Sequence, residues 1–268
     1  MTTNIPFKTG KIRFADEGSG NAVVLLHGYL ESLEIWNGFY QRLTPHYRVI
    51  RIDVPGHGQS DVVADVHGMD LMAEAVNAVL QHLDVRRCVL TGHSMGGYVS
   101  LAYLAHYPER LAGLCLFHSS PFADTEEKKA YRTKEIRLVS EGKLSLICNT
   151  SIPNGFATDN LQAFSAQVEY AKHVARQMSP AGVTAILKGM RERPDRQELL
   201  KNNTVPTLFL LGKKDNYIAF ERFAPVAAAF PHTTVAALEH SGHSGYLEEP
   251  EKSAELLLAF LDRCHVQT

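Results

Sequence analysis

A mostly parallel, doubly wound α/β sheet with one helical insertion is the fold class the sequence predicts, and three observations predict it. Short β-rich runs alternate with helix-length segments. The runs are apolar throughout rather than every second residue, as expected of strands covered on both faces. The alternation then breaks once, after Pro121, for about seventy residues without a convincing strand.

Taken in order, a first strand pair is expected within residues 9–25, followed by strands at 22–28 (AVVLLHG), 47–53 (YRVIRID) and 87–93 (RCVLTGH). Further strands are expected at 111–119 (LAGLCLFHS), 206–212 (PTLFLLG) and 233–238 (TTVAAL). Between them, Leu33 to Leu43 and Asp70 to Leu83 read as amphipathic helices, and Ser94 to Tyr107 as a helix stopped by Pro108. Pro250 is placed to start a terminal helix carrying Leu256, Leu257, Leu258 and Phe260. Within the insertion, Leu161, Phe164, Val168, Ala171, Val174 and Met178 recur every three or four residues, with Asp159 placed to cap the start. Ser179-Pro180 restarts a helix that Pro194 should end. The expected organisation is therefore a core of residues 1–120 and 186–268, with residues 121–185 inserted as a helical unit.

Composition narrows the function classes. The chain has 268 residues, 45% hydrophobic, enough for one large core. Its 27 Lys plus Arg balance 29 Asp plus Glu, and no run of one sign is long enough to track phosphates or anionic lipid, so neither nucleic acid nor a membrane surface is an expected partner. The opening MTTNIPFKTGKIRF lacks the pattern of a secretory signal, which points to a cytoplasmic protein. Cys88, Cys115, Cys148 and Cys264 are widely spaced, with no CxxC pair, and support neither a metal site nor a disulfide framework.

The chemistry is concentrated in LTGHSMGGYVSLA, residues 90–102, where Gly92-His93-Ser94-Met95-Gly96 fits G-x-S-x-G between a strand and a helix. Glycines there allow a sharp corner that exposes the Ser94 hydroxyl at the carboxyl edge of the sheet. A serine hydroxyl attacks poorly until a base takes its proton, and imidazole does so best when a carboxylate fixes its orientation. Asp215, in LFLLGKKDNYI, and His243, in a glycine-flanked loop of VAALEHSGHSGYLEEP, lie beyond successive strands and complete the order Ser, Asp, His. Asp124 is an alternative acid and His240 an alternative base.

Four blocks, HGYLESLEIW (27–36), DVPGHGQS (53–60), GHSMGG (92–97) and GHSGYLEEPE (242–251), with Asp215 between the last two, resemble the α/β-hydrolase fold superfamily in its small, capped, esterase-like branch. The resemblance implies catalysis by Ser94, His243 and Asp215 without a cofactor or metal. It also implies an oxyanion hole made by the backbone N–H groups of Tyr29 and Met95, and gives the insertion the place and size of a cap. His27, Asp53, His57 and Trp36 then read as turn-holding or core residues.

The leading expectation is hydrolysis of a small-molecule carboxylic ester of small or medium acyl group, through an acyl-serine. Carbon–carbon bond hydrolysis or menaquinone-pathway lyase chemistry on the same triad is one alternative, although HGYLES is shorter than the usual glycine-rich turn of the former and Tyr98 stands where the latter usually carry arginine. A small-ligand receptor with little turnover is another. Leu30, Phe122, Tyr217 and Ile218 are the expected pocket lining, and Arg132 or Arg137 a candidate ligand for a substrate carboxylate.

Overall fold

The computed structural model describes residues 2–265. Eight strands form one sheet: β1 (Thr2–Phe7), β2 (Gly10–Glu17), β3 (Ala22–Leu26), β4 (Arg48–Ile52), β5 (Cys88–His93), β6 (Leu111–Phe117), β7 (Thr207–Gly212) and β8 (Thr233–Leu238), in the order β1-β2-β4-β3-β5-β6-β7-β8. The pairs from β4 through β8 are parallel, while β1–β2 and β2–β4 are antiparallel. The first strand pair therefore starts at Thr2, ahead of the 9–25 window read from sequence. β1 is mostly exposed, so it lacks the apolar run that marks a covered strand.

The helices are α1 (Met69–His82), α2 (Met95–His106), α3 (Glu126–Ser140), α4 (Leu144–Asn154), α5 (Ser165–Arg176), α6 (Pro180–Arg191), α7 (Gln197–Lys201), α8 (Phe220–Ala228), α9 (Gly245–Glu248) and α10 (Pro250–His265).

Two cores explain the continuous apolar strands. Val24, Leu26, Leu90, Leu114, Leu116, Phe209 and Leu211 pack on one face of the sheet with residues of α1 and α2. Val23, Leu25, Val89, Cys115, Phe117, Leu208 and Leu210 pack on the other, with Trp36, Phe39 and the α10 residues Leu257, Phe260 and Leu261. Successive side chains of a strand point to opposite faces, so both sets must be apolar. Each fully buried Leu or Phe contributes about 1.5–3 kcal/mol of hydrophobic stabilisation.

Local sequence decides where two expectations change. Leu33 to Leu43 is not one helix but two 3-10 turns, Leu33–Trp36 and Tyr40–Arg42, separated by Gly38 at φ +82. Glycine there adopts a left-handed conformation that ends helical propagation. Asp159 does not cap a long helix: it lies in a 3-10 turn (Thr158–Asn160), pairs with Lys214 at 2.8 Å, and α5 begins only at Ser165.

Between β6 and β7 the chain contributes α3 to α7 and no strand. α3 packs on α6, and α4 on α5. Residue 185, where the insertion is expected to end, falls inside α6, which runs unbroken from Pro180 to Arg191. Ser179 caps it by accepting the Gly182 N–H at 3.0 Å. No described helix is long and apolar enough to cross a membrane. All four cysteines are free and buried.

Candidate active site

Parallel pairing aligns Leu26 with Ile52 on one side and with Gly92 on the other, so the chain leaves β3, β4 and β5 at one edge of the sheet. Ser94 occupies the corner between β5 and α2 with φ +50 and ψ −112. This conformation is costly for a residue with a side chain and persists only where the surroundings impose it. Here they do: the Ser94 N–H donates to the Phe117 carbonyl at 2.9 Å, and the Ser119 hydroxyl donates to the Ser94 carbonyl at 2.7 Å. The flanking glycines are steric necessities. A Cβ on Gly92 would fall onto the backbone of Gly96, and one on Gly96 would lie 2.5 Å from the Leu26 carbonyl oxygen.

The turn after β3 lies against this corner, since a Cβ on Gly28 would be 3.2 Å from Ser94 Cβ. The Gly28 N–H donates to Glu31 at 2.5 Å, and Leu30 follows at φ +63. Met95 opens α2, so its N–H is among those a helix leaves without an intrahelical acceptor. Neither the Tyr29 N–H nor the Met95 N–H has an acceptor among the described residues.

Asp215 and His243 meet directly: His243 Nδ1 lies 2.7 Å from Asp215 Oδ2. The other carboxylate oxygen accepts the N–H groups of Tyr217 (2.7 Å) and Ile218 (3.0 Å), which fix the Asp215 rotamer. Burial pushes the Asp215 carboxyl upward, but the His243 and His118 imidazoles outweigh it and hold it well below the usual carboxylate range. Asp215 is therefore a carboxylate, and His243 carries its Nδ1 proton toward it, leaving Nε2 as the basic nitrogen. Ser94 Oγ makes no hydrogen bond to His243 among the described residues; such contacts are often loose before a substrate binds.

His118, at φ +47 just beyond β6, is a partner of Asp215 that the sequence reading passed over. Its Nε2 accepts the Gly245 N–H at 3.2 Å, and its Nδ1 lies 3.2 Å from the Gly212 N and 3.4 Å from Asp215 Oδ2. Burial drives its pKa down to about 4, so the ring is neutral. The ligand atoms of His118, Asp215 and His243 fall within 4.8 Å of one another, but both imidazoles are already directed at the same carboxylate oxygen.

Glu248, within the GHSGYLEEPE block but given no role by the sequence, holds the His243 loop. Its carboxylate accepts from Gly242 N–H (2.8 Å), Ser244 N–H (3.3 Å), Ala157 N–H (2.8 Å) and the Asn160 amide (2.8 Å). The insertion also reaches the loop directly, as the Gly155 carbonyl accepts the His243 N–H at 2.8 Å. His240 stands outside this arrangement, exposed, with its N–H on Glu249.

Asp124, the alternative acid, is engaged by two arginines: it pairs with Arg193 at 2.5 Å and with Arg132. Arg132 is thereby engaged within the protein, and Arg137 is exposed beside Glu141. Arg193 also lies over the Tyr98 ring at 3.9 Å. Of the expected pocket residues, Tyr217 packs edge-on against His243 with ring centroids 5.0 Å apart. Leu30 is buried in the core, and Ile218 is half-buried beside Asp215. Phe122 lies at a separate recess lined with Tyr98, Leu101, Pro121 and Arg193. His27 accepts the Val54 N–H at 3.2 Å, and Asp53 accepts those of Leu33 (2.7 Å) and Gln59 (2.9 Å), so both hold turns. Trp36 is fully buried, and His57, also fully buried, packs against His27 with ring centroids 4.7 Å apart.

Residues 21–134 match the family described as alpha/beta hydrolase fold. The structure superposes on a thermophilic esterase from Thermogutta terrifontis with a TM-score of 0.94, at 30% identity and 99% coverage of both chains. The chain belongs to the α/β-hydrolase fold family. Among curated relatives, the chain is 30% identical over 254 residues to the dihydrolipoyllysine-residue acetyltransferase component of an acetoin cleaving system from Pseudomonas putida. That match covers 90% of the chain but only 64% of the relative's length. The chain is also 27% identical over 248 residues to a pimeloyl-[acyl-carrier protein] methyl ester esterase from Yersinia enterocolitica, covering 91% of this chain and 94% of that protein.

Proposed function

We propose that this hydrolase cleaves carboxylic esters of small or medium acyl groups, with Ser94 as nucleophile, His243 as general base and acid, and Asp215 as the carboxylate that orients His243. The reading is carried by one juxtaposition: a buried carboxylate 2.7 Å from His243 Nδ1, at the sheet edge where Ser94 is held at φ +50. Two of the similar proteins, the Thermogutta terrifontis esterase and the Yersinia enterocolitica methyl ester esterase, carry names that support it.

In the proposed reaction, Ser94 Oγ attacks the ester carbonyl carbon as His243 Nε2 takes the hydroxyl proton. The tetrahedral oxyanion is received by the N–H groups of Tyr29 and Met95; losing one such donor typically costs about 2.7–4 kcal/mol of barrier. Collapse breaks the bond to the alkoxy group, which leaves as the alcohol with the proton from His243. Water, deprotonated by His243, then attacks the acyl-serine and regenerates the hydroxyl.

We assign the insertion, residues 121–185 and onward to Arg191 along α6, as a cap. Gly155 and Ala157 touch the His243 loop and its Glu248 anchor, and the Tyr217 hydroxyl donates to the Ser151 carbonyl at 2.9 Å. Acyl selection is thus assigned to Tyr217 and the overlying α4, with Leu30 and Ile218 packing behind the oxyanion turn and the acid.

The test is hydrolysis of p-nitrophenyl esters from acetyl to dodecanoyl by the wild type and Ser94→Ala. Serine-dependent turnover with a chain-length optimum is expected. Full activity in Ser94→Ala would overturn the nucleophile, and no turnover by folded wild type would overturn the ester assignment.

A further inference from the structure

His93, the residue before Ser94, is 2% exposed, and both of its ring nitrogens face acceptors. Nδ1 lies 3.0 Å from Glu31 Oε2, and Nε2 lies 2.8 Å from the carbonyl oxygen of His243. A neutral imidazole donates from one nitrogen only, so a neutral His93 would set a lone pair against an oxygen at one of these contacts. Both contacts are hydrogen bonds only when the ring is an imidazolium.

Glu31 is its counter-ion, and the carboxylate is itself fully engaged. Oε2 also accepts the Gly28 N–H at 2.5 Å, and Oε1 accepts the Tyr246 hydroxyl at 3.1 Å. One buried ion pair therefore touches the turn that carries Tyr29, the corner that carries Ser94, and the backbone of His243. These three segments are distant in sequence, and each must be placed to within a fraction of an ångström for the reaction.

We propose that the His93 imidazolium and the Glu31 carboxylate form a positioning pair that locks the oxyanion turn, the nucleophile corner and the His243 loop into one register. The inference rests on the reading of Ser94 and His243 as the reacting groups. Neither His93 nor Glu31 touches the reacting atoms, so both act through the residues they hold.

Around the His93 ring, centroid to centroid, stand Trp36 at 6.4 Å, Phe117 at 6.2 Å, Tyr246 at 5.0 Å, His118 at 6.0 Å and His243 at 5.1 Å. Asp215 adds a second, weaker negative charge, and His27 faces Glu31 from its other side. Burial opposes ionisation of His93, but Glu31 outweighs it and raises the pKa above the ordinary value; burial likewise opposes ionisation of Glu31, and His93 outweighs it in the other direction. A raised histidine stabilises the fold fully below its unfolded value of 6.5 and loses that contribution as pH rises through its folded value. The lock should open on the alkaline side.

The direct test is a long-range 1H–15N correlation spectrum of the histidine rings in the wild type at pH 7.5. One buried histidine protonated on both nitrogens, and lost in His93→Asn, is expected; its absence overturns the proposal. Because this readout needs no turnover, it stands apart from the ester assignment. Positioning is read next by the rate at which a fluorophosphonate phosphonylates Ser94. Glu31→Gln should slow this about 100-fold and move the alkaline limb of its pH profile to lower pH. An unchanged rate and profile in folded Glu31→Gln would show that the pair is merely structural, and overturn the proposal.

Discussion

Glu248 Oε2 accepts the backbone N–H on both sides of His243, from Gly242 at 2.8 Å and from Ser244 at 3.3 Å. The candidate base is therefore held by its main chain as well as by Asp215. The same carboxylate takes the Ala157 N–H, which ties the insertion to this loop. Glu248→Ala leaves these buried donors without acceptors, at about 1–3 kcal/mol each before relaxation. Urea unfolding should show a loss of about 3 kcal/mol, and ester hydrolysis a lower kcat. Unchanged stability would mean that water replaces the carboxylate.

Removal of the Ser94 hydroxyl should abolish turnover without loosening the fold. Ser94→Ala keeps the backbone bonds to Phe117 and Ser119, which hold the corner. Its kcat should fall about a million-fold, as when a triad nucleophile is deleted, while the melting temperature stays within a few degrees. A large drop in melting temperature would show that the hydroxyl itself braces the strained corner.

Glu135 on α3 should make the protein less stable at alkaline pH. It is 3% exposed, and burial raises its pKa from 4.5 to about 7. The folded state thus holds a proton that the unfolded state releases between these values, so stability falls as pH rises through that window. Glu135→Gln cannot ionise and should match the wild type near pH 4 but melt higher at pH 8.5. Equal melting at both values would show that the carboxyl escapes burial when charged.

Asp124 should matter for stability and not as the triad acid. Arg193, 6% exposed, and Arg132 both pair with it. Asp124→Ala strands two cations, a change that typically costs about 3–5 kcal/mol. Ester hydrolysis measured well below the lowered melting point should retain the wild-type pH profile. Disappearance of activity in a folded Asp124→Ala would return it to candidacy as the acid.

Particular residues show how much the sequence determined. Parallel strands buried on both faces must be apolar at every position, so β3, β5, β6 and β7 stand out as continuous runs, and the sheet class follows. G-x-S-x-G marks the corner because only glycines fit against the backbone of Gly96 and Leu26, and Asp215 and His243 follow as residues just beyond β7 and β8. β1 lacked a signal because an exposed edge strand buries too little to require a pattern. The helix expected from Leu33 was lost because three turns of apolar spacing do not outweigh a glycine at positive φ.

The roles of His93, Glu31, His118 and Glu248 were decided by tertiary structure alone. His93 meets the His243 carbonyl across 150 residues and Glu31 across 62, distances over which sequence carries no periodicity. Asp124 and Asp215 likewise differ little as letters after a strand. Two arginines close on the first and two imidazoles on the second, and those partners come from α3, the α6–α7 loop, the end of β6 and the β8–α9 loop, brought together only when the sheet and the insertion pack. A sequence specifies which groups are available, whereas charge and hydrogen bonding act through space, so the neighbours that set each group's protonation and orientation exist only in the folded chain.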